Sequence, residues 1–301
     1  MNIPPFLTPG DTIAIVSTAR KITMDEIEVA VKVISDWGLN VKVGKTVGLE
    51  NNQYAGYDED RAIDFQNFLD DTNVKAILCA RGGYGTVRMV DSLDFLKFVE
   101  DPKWIIGYSD ITVLHGHIHA NYGIPTLHAT MPISFKDFNE DSSTIQSLKR
   151  GMFGESLDID FSSNELNIAG ECKGELIGGN LSVLYSLLGS PSDVDSNGKI
   201  LFLEDLDEYL YHIDRMMINL KRSGKLKNLA GLLLGGMTDM NDNEVPLGKS
   251  AEEIVLEHVK EYGFPVAFGF PAGHPPSENV AMIFGKEVKL SISDKCSLQY
   301  C

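Results

Sequence analysis

The chain has 301 residues, a length that suits two domains, and its 43% hydrophobic and 23% charged residues exclude a disordered chain. A net charge of −17 excludes nucleic acid as a partner, which would need clustered Lys and Arg, and means that any anionic group of a substrate must be held by locally placed donors. Cys79, Cys172, Cys296 and Cys301 form no C-x-x-C pair, so neither a zinc site nor a redox motif is suggested.

The first half alternates strands and helices. Residues 12–17 read as an apolar strand, and Ile27, Ala30, Val31 and Ile34 then recur at helical spacing over 24–37. Thr23 and Glu26 form a capping box at the start of that helix, and Gly38 can end it. Strand-like 41–43 and a helix through Ala62, Phe65 and Leu69 follow. Residues 74–80 are a continuous apolar run of the kind buried on both faces of a parallel sheet, and they lead into Arg81-Gly82-Gly83-Tyr84-Gly85. A short strand at 104–107 ends at Tyr108-Ser109-Asp110, and a helix over 111–119 precedes strand-like 124–128. This is the order of a Rossmann-like, doubly wound α/β domain, expected over residues 1–135.

Residues 136–168 are polar and weakly periodic and suggest a linker with one short helix. The remainder, 169–301, reads as a smaller mixed α/β domain: a strand at 199–204, a helix with Leu210, Ile213, Met217 and Leu220 on one face, a strand at 229–237, a helix over 250–261, and strands at 265–270 and 287–292. No apolar stretch approaches the roughly 20 residues of a membrane span. The opening Met-Asn-Ile-Pro-Pro lacks a basic segment followed by an apolar one, so the expected location is cytoplasmic.

Three positions carry candidate chemistry. Ser109, on a strand-to-helix turn, would project above the sheet edge with the Asp110 N–H as an oxyanion donor; on its tetrapeptide alone it reads more simply as a helix N-cap. The 81–85 loop allows close backbone approach to a ligand, and Arg81 could hold a carboxylate, or the segment is a tight turn with a surface arginine. His274, between a glycine and two prolines, is a candidate base on a rigid loop, though a lone histidine is more often structural. Glu204 ends a strand and opens an acidic group that by default is a solvated turn. His115, His117 and His119 invite a metal reading, but only His115 and His119 share a helix face and no H-E-x-x-H pattern joins them, so no metal or cofactor is expected.

Taken together, G-Y-S-D-I-T (107–112), R-G-G-Y-G (81–85), L-E-D-L-D-E-Y-L-Y-H-I-D-R (203–215) and G-H-P-P-S-E-N (273–279) resemble the L,D-carboxypeptidase family, the S66 serine peptidases, over nearly the whole chain. The resemblance implies a Ser109–His274–Glu204 triad in a cleft between two domains, and an oxyanion hole from the backbone of Asp110 and Gly83. From the loop itself, Arg81, Gly82 and Tyr84 are expected to contact the substrate. Members of the family trim murein tetrapeptides by removing the terminal D-alanine, without a metal, as cytoplasmic homodimers. Some relatives instead hydrolyse peptidyl-nucleotides of the microcin C type, and a non-catalytic anion or nucleotide binder is a further alternative. Where many members carry H-G-P, this chain has His128-Ala129-Thr130.

Overall fold

The computed structural model describes residues 2–274 and 278–301, so Pro275, Pro276 and Ser277 of the last motif lie outside the described residues. The chain divides into two compact units, Met1–Ser156 with Val280–Ile283, and Leu157–Asn279 with Phe284–Cys301.

In the first unit, strands β1 (Thr12–Val16), β2 (Asn40–Val43), β3 (Val74–Cys79), β4 (Trp104–Gly107) and β5 (Thr126–His128) alternate with helices α1 (Met24–Asp36), α2 (Asp58–Asp70), α3 (Leu96–Glu100) and α4 (Thr112–Tyr122). The capping box expected at α1 is present: Thr23 accepts from the Glu26 N–H, and the Glu26 carboxylate accepts from the Thr23 N–H at 2.8 Å. Strand β1 pairs in parallel with both β2 and β3, then β3 with β4 and β4 with β5. The full order is β11-β5-β4-β3-β1-β2, where β11 is Met282–Phe284. The chain therefore leaves β1 first to one side and then to the other. This places a topological switch point between the carboxyl ends of β1 and β3, the position where open α/β sheets bind ligands. The inner strands are buried along their length, as continuous apolar runs require.

Residues 136–168 hold helix α5 (Ser143–Phe153) and strand β6 (Ile159–Ser162), and the division between the units falls inside this segment. The second unit is built on a seven-stranded sheet, order β10-β9-β8-β7-β12-β13-β6. Its remaining members are β7 (Gly170–Asn180), β8 (Ile200–Leu206), β9 (Gly231–Thr238), β10 (Val266–Ala267), β12 (Glu287–Ile292) and β13 (Lys295–Tyr300). Strands β7 to β10 pair in parallel, and β7, β12, β13 and β6 pair antiparallel. Helices α6 (Leu181–Leu187), α7 (Leu210–Arg222) and α8 (Ala251–Val259) complete the unit. Helix α7 buries Ile213, Met216, Met217 and Leu220 against Leu203, Leu232, Val255 and Phe268. Each such side chain contributes about 1.5–3 kcal/mol on burial. Among the described residues no helix is long and apolar enough to cross a membrane.

Candidate active site

Strand β4 ends at Gly107, and the chain turns at Tyr108 into a 3₁₀ turn, Ser109–Ile111, that continues as α4. Ser109 has φ +62°, the left-handed region that side chains other than glycine rarely occupy. Such a conformation costs about 1–3 kcal/mol and persists where the surroundings enforce it, as at a nucleophile elbow. The cap positions of the turn and of α4 are Tyr108 and Ile111, so Ser109 is not the N-cap that its tetrapeptide suggested.

His115, buried inside α4, braces this turn. One ring nitrogen, Nε2, lies 2.9 Å from the Gly107 carbonyl and Nδ1 lies 2.8 Å from the Thr126 hydroxyl, which fits a neutral ring donating to Gly107 and accepting from Thr126. Burial pushes its pKa down to about 4 against the opposing pull of the Gly107 carbonyl. With both nitrogens committed, His115 has none to offer a metal, and among the described residues no group of three His, Cys, Asp or Glu could hold one. EDTA is accordingly expected to leave turnover unchanged. A loss that zinc restores would return the chemistry to His115 and His119.

The loop after β3 lies against Ser109. A Cβ added to Gly82 would stand 3.0 Å from Ser109 Cβ and 3.1 Å from Oγ, so glycine is what lets this backbone approach the hydroxyl. Asp110, 3% exposed, fixes the loop from below, its carboxylate accepting the Thr86 N–H at 2.9 Å, while the Thr86 and Thr18 hydroxyls meet at 2.9 Å. Burial pushes the Asp110 carboxyl above the usual range, against the Thr86 hydrogen bonds. Of the expected substrate contacts, Tyr84 is 46% exposed with its ring 6.2 Å from that of Tyr54. Arg81 turns toward the start of α1, where Nη1 donates to the Lys21 carbonyl at 3.2 Å and Glu26 attracts it.

In the second unit, Glu204 lies on β8 with no exposed surface, and its Oε2 lies 2.6 Å from Nδ1 of His274. The register between β8 and β9 shifts between Leu203 and Asp205, opposite Gly235 and Gly236. Bulges of this kind re-aim side chains next to active sites. The His274 loop is tied down on both sides: Gly236 N–H donates to the Ala272 carbonyl at 2.9 Å, Gly273 N–H to Asn279 Oδ1 at 3.0 Å, and the Thr238 hydroxyl to the His274 carbonyl at 2.9 Å. Burial pulls the His274 pKa down, but the Glu204 charge and hydrogen bond outweigh it and hold the net value above that of an ordinary histidine. Asp205, next along β8, takes Asn180 Nδ2 and the N–H groups of Ser182 and Leu206, each at 2.9 Å. Burial and then the Glu204 charge push it up to about 7.

Gly273 packs directly on the Glu204 side chain. Its φ is +127°, and a Cβ there would stand 3.0 Å from Glu204 Cβ and 3.1 Å from Oε2. Gly273→Ala is expected to push the histidine and carboxylate apart and lower kcat on the order of 10²-fold. Steady-state kinetics alongside a melting curve checks this, and an unchanged kcat would mean that the pair tolerates displacement.

The first unit thus carries Ser109 with Asp110, Gly82 and Gly83, and the second carries Glu204 with His274. Sequence reading passed over Asp205, Asn180, Thr238 and Asn279, although Asp205 and Asn279 lie inside motifs it quoted. It also passed over Arg20, whose stem covers Gly83.

A glycine-backed serine on a strained strand-to-helix turn and a buried carboxylate–histidine pair are the parts of a serine hydrolase. The sequence matches the LD-carboxypeptidase N-terminal domain over residues 13–129 and the LD-carboxypeptidase C-terminal domain over residues 173–290. It is 34% identical to the probable murein peptide carboxypeptidase of Bacillus subtilis, covering 98% of this chain and 93% of that protein. It is 25% identical to the microcin C7 self-immunity protein of Escherichia coli, over 89% of this chain and 87% of that one. The crystal structure of muramoyltetrapeptide carboxypeptidase from Oxalobacter formigenes superposes with a TM-score of 0.87 at 26% identity, covering 96% and 98% of the two chains. The chain belongs to the L,D-carboxypeptidase family, the S66 peptidases, and is a serine-type carboxypeptidase.

Proposed function

We propose that this carboxypeptidase hydrolyses the L,D peptide bond that holds the terminal D-alanine of a murein tetrapeptide, with Ser109, His274 and Glu204 as its triad. The observation that carries this reading is the 2.6 Å contact between His274 Nδ1 and the fully buried Glu204 carboxylate. Donation from Nδ1–H to the carboxylate places the lone pair of a neutral imidazole on Nε2, ready to accept a proton. Ser109 Oγ attacks the scissile carbonyl carbon as His274 takes its proton. The backbone N–H groups of Asp110 and Gly83 receive the developing oxyanion. The C–N bond then breaks, the imidazolium gives its proton to the leaving amine of D-alanine, and the tripeptide remains as an ester on Ser109. Water, deprotonated by His274, cleaves the ester and restores the serine. Gly82 and Tyr84, on the loop beside Ser109, would contact the bound peptide. Glu204 holds the ring's tautomer and offsets its positive charge without itself changing protonation.

The murein peptide carboxypeptidases among the similar proteins support the substrate, and the motif resemblance supports a cytoplasmic homodimer. The similarity to the microcin C7 self-immunity protein keeps open the competing substrate that the motif resemblance allows, a peptidyl-nucleotide. Comparing kcat/KM for a murein tetrapeptide with that for an aminoacyl-sulfamoyl adenosine tests the choice. The tetrapeptide is expected to be the better substrate, and a preference for the nucleotide conjugate would replace the murein reading.

A further inference from the structure

A carboxypeptidase selects a peptide end by its free carboxylate. Here a net charge of −17 repels that group at long range, so a cation must be supplied within reach of the nucleophile. One residue separates the scissile carbonyl from the terminal carboxylate, and one residue spans at most about 3.6 Å. The cation therefore has to lie close beside Ser109.

Several cations surround the loop after β3, and most are spoken for. Arg61 is fully buried and donates to the carbonyls of Thr18 and Gly56 and to Asp58. Arg88 is bound to the same Asp58 carboxylate, Lys21 pairs with Glu50, and Arg81 is turned to the Lys21 carbonyl and Glu26. Arg20 differs. Its backbone is anchored, since the Ser17 hydroxyl donates to its carbonyl at 2.6 Å and it bridges Tyr54 across an isolated antiparallel pair. Its guanidinium makes no hydrogen bond or ion pair among the described residues, and the residue is exposed.

The position of Arg20 is the one the chemistry asks for. It follows β1, the Gly-rich loop follows β3, and the switch point of the sheet lies between those two strand ends. A Cβ added to Gly83 would stand 2.5 Å from Arg20 Cδ and 2.8 Å from Nε, so the arginine stem lies directly across that glycine. The preceding residue, Gly82, is the one packed on Ser109, and consecutive α-carbons are about 3.8 Å apart. Arg20 also acts electrostatically on Asp110, the neighbour of the nucleophile.

We propose that Arg20 is the residue that binds the C-terminal carboxylate of the substrate, its guanidinium making a two-point contact with the carboxylate of the leaving D-amino acid. The assignment rests on the carboxypeptidase mechanism proposed above and adds the group that makes the enzyme specific for a chain end. Arg81, the candidate the sequence pointed to, then fastens the loop to the start of α1.

The test uses a murein tetrapeptide and the same peptide with a C-terminal amide, assayed with the parent, Arg20→Ala, Arg20→Lys and Arg81→Ala. The parent is expected to prefer the free acid. Arg20→Ala should raise KM for the free acid roughly ten- to hundredfold, with a smaller change in kcat, and should lose the preference for acid over amide. Arg20→Lys should recover part of the preference, and Arg81→Ala should keep it. Circular dichroism confirms that each variant is folded, as an exposed position predicts. Unchanged KM and unchanged acid preference in folded Arg20→Ala would overturn the assignment while leaving the hydrolase reading intact. A parent that hydrolyses neither peptide would overturn the substrate reading and the assignment with it.

Discussion

Replacing Ser109 with alanine is expected to give a folded protein whose kcat is lower by at least ~10⁴-fold, the usual result of removing one member of a triad. The fold should survive because the substitution removes one oxygen atom, and the cap positions around it belong to Tyr108 and Ile111. Alanine meets the same left-handed backbone at φ +62° that serine already occupies, so little new strain arises. If Ser109 served only as a helix cap, its loss would cost about 1 kcal/mol of stability and leave the rate alone. Melting temperature and kcat measured on one preparation separate the two cases. A well-folded Ser109→Ala variant with parental turnover would end the nucleophile assignment.

The second large effect is expected at Glu204. In the proposed triad His274 must be neutral to accept the serine proton, and the net effect of its surroundings is to raise its pKa above the ordinary ~6.5. Burial acts in the opposite direction and is outweighed by the Glu204 charge and hydrogen bond. In the parent, kcat/KM should therefore climb with pH along a limb centred above ~6.5. Glu204→Gln removes the charge, leaves burial far less opposed, and should move the limb to lower pH. It should also lower kcat on the order of 10³–10⁴-fold, because an amide can present an N–H to Nδ1 and favour the wrong tautomer. Asp205 should not take over the role. Its carboxylate is already engaged by Asn180, Ser182 and Leu206. The two pH–rate profiles decide the matter: a flat parent profile, or full activity in Glu204→Gln, would remove Glu204 and His274 from the mechanism and make Glu208 the next carboxylate to replace.

Much of the first unit was legible because its signals are local. The capping box at Thr23 and Glu26, the apolar run at 74–80 and the strand at 104–107 each follow from neighbouring residues, and each stands where it was expected. Strand β7 was missed, although it lies at the centre of the second sheet. Its glycines hide it, since Gly is a poor strand former. Yet glycine is required there: a Cβ at Gly178 would stand 1.9 Å from the Phe202 carbonyl oxygen, and one at Gly174 would stand 2.7 Å from that of Gly198. The contacts that demand these glycines come from residues more than twenty positions away, which local pattern cannot register. The site shows the same division. Ser109, Glu204 and His274 were visible as motif residues, whereas Arg20 carries no pattern, and its standing depends on which neighbouring cations already hold partners. The bulge facing Gly235 and Gly236, which helps aim Glu204, likewise exists only in the pairing of two strands.

The proposed reaction removes the last residue of a peptide at an L,D bond. Mass spectrometry of a single murein tetrapeptide incubated with the purified protein, with chiral analysis of the released amino acid, tests it most directly. Two products in equal amounts are expected, the tripeptide and free D-alanine. An intact tetrapeptide after prolonged incubation, or cleavage at an internal bond, would contradict it.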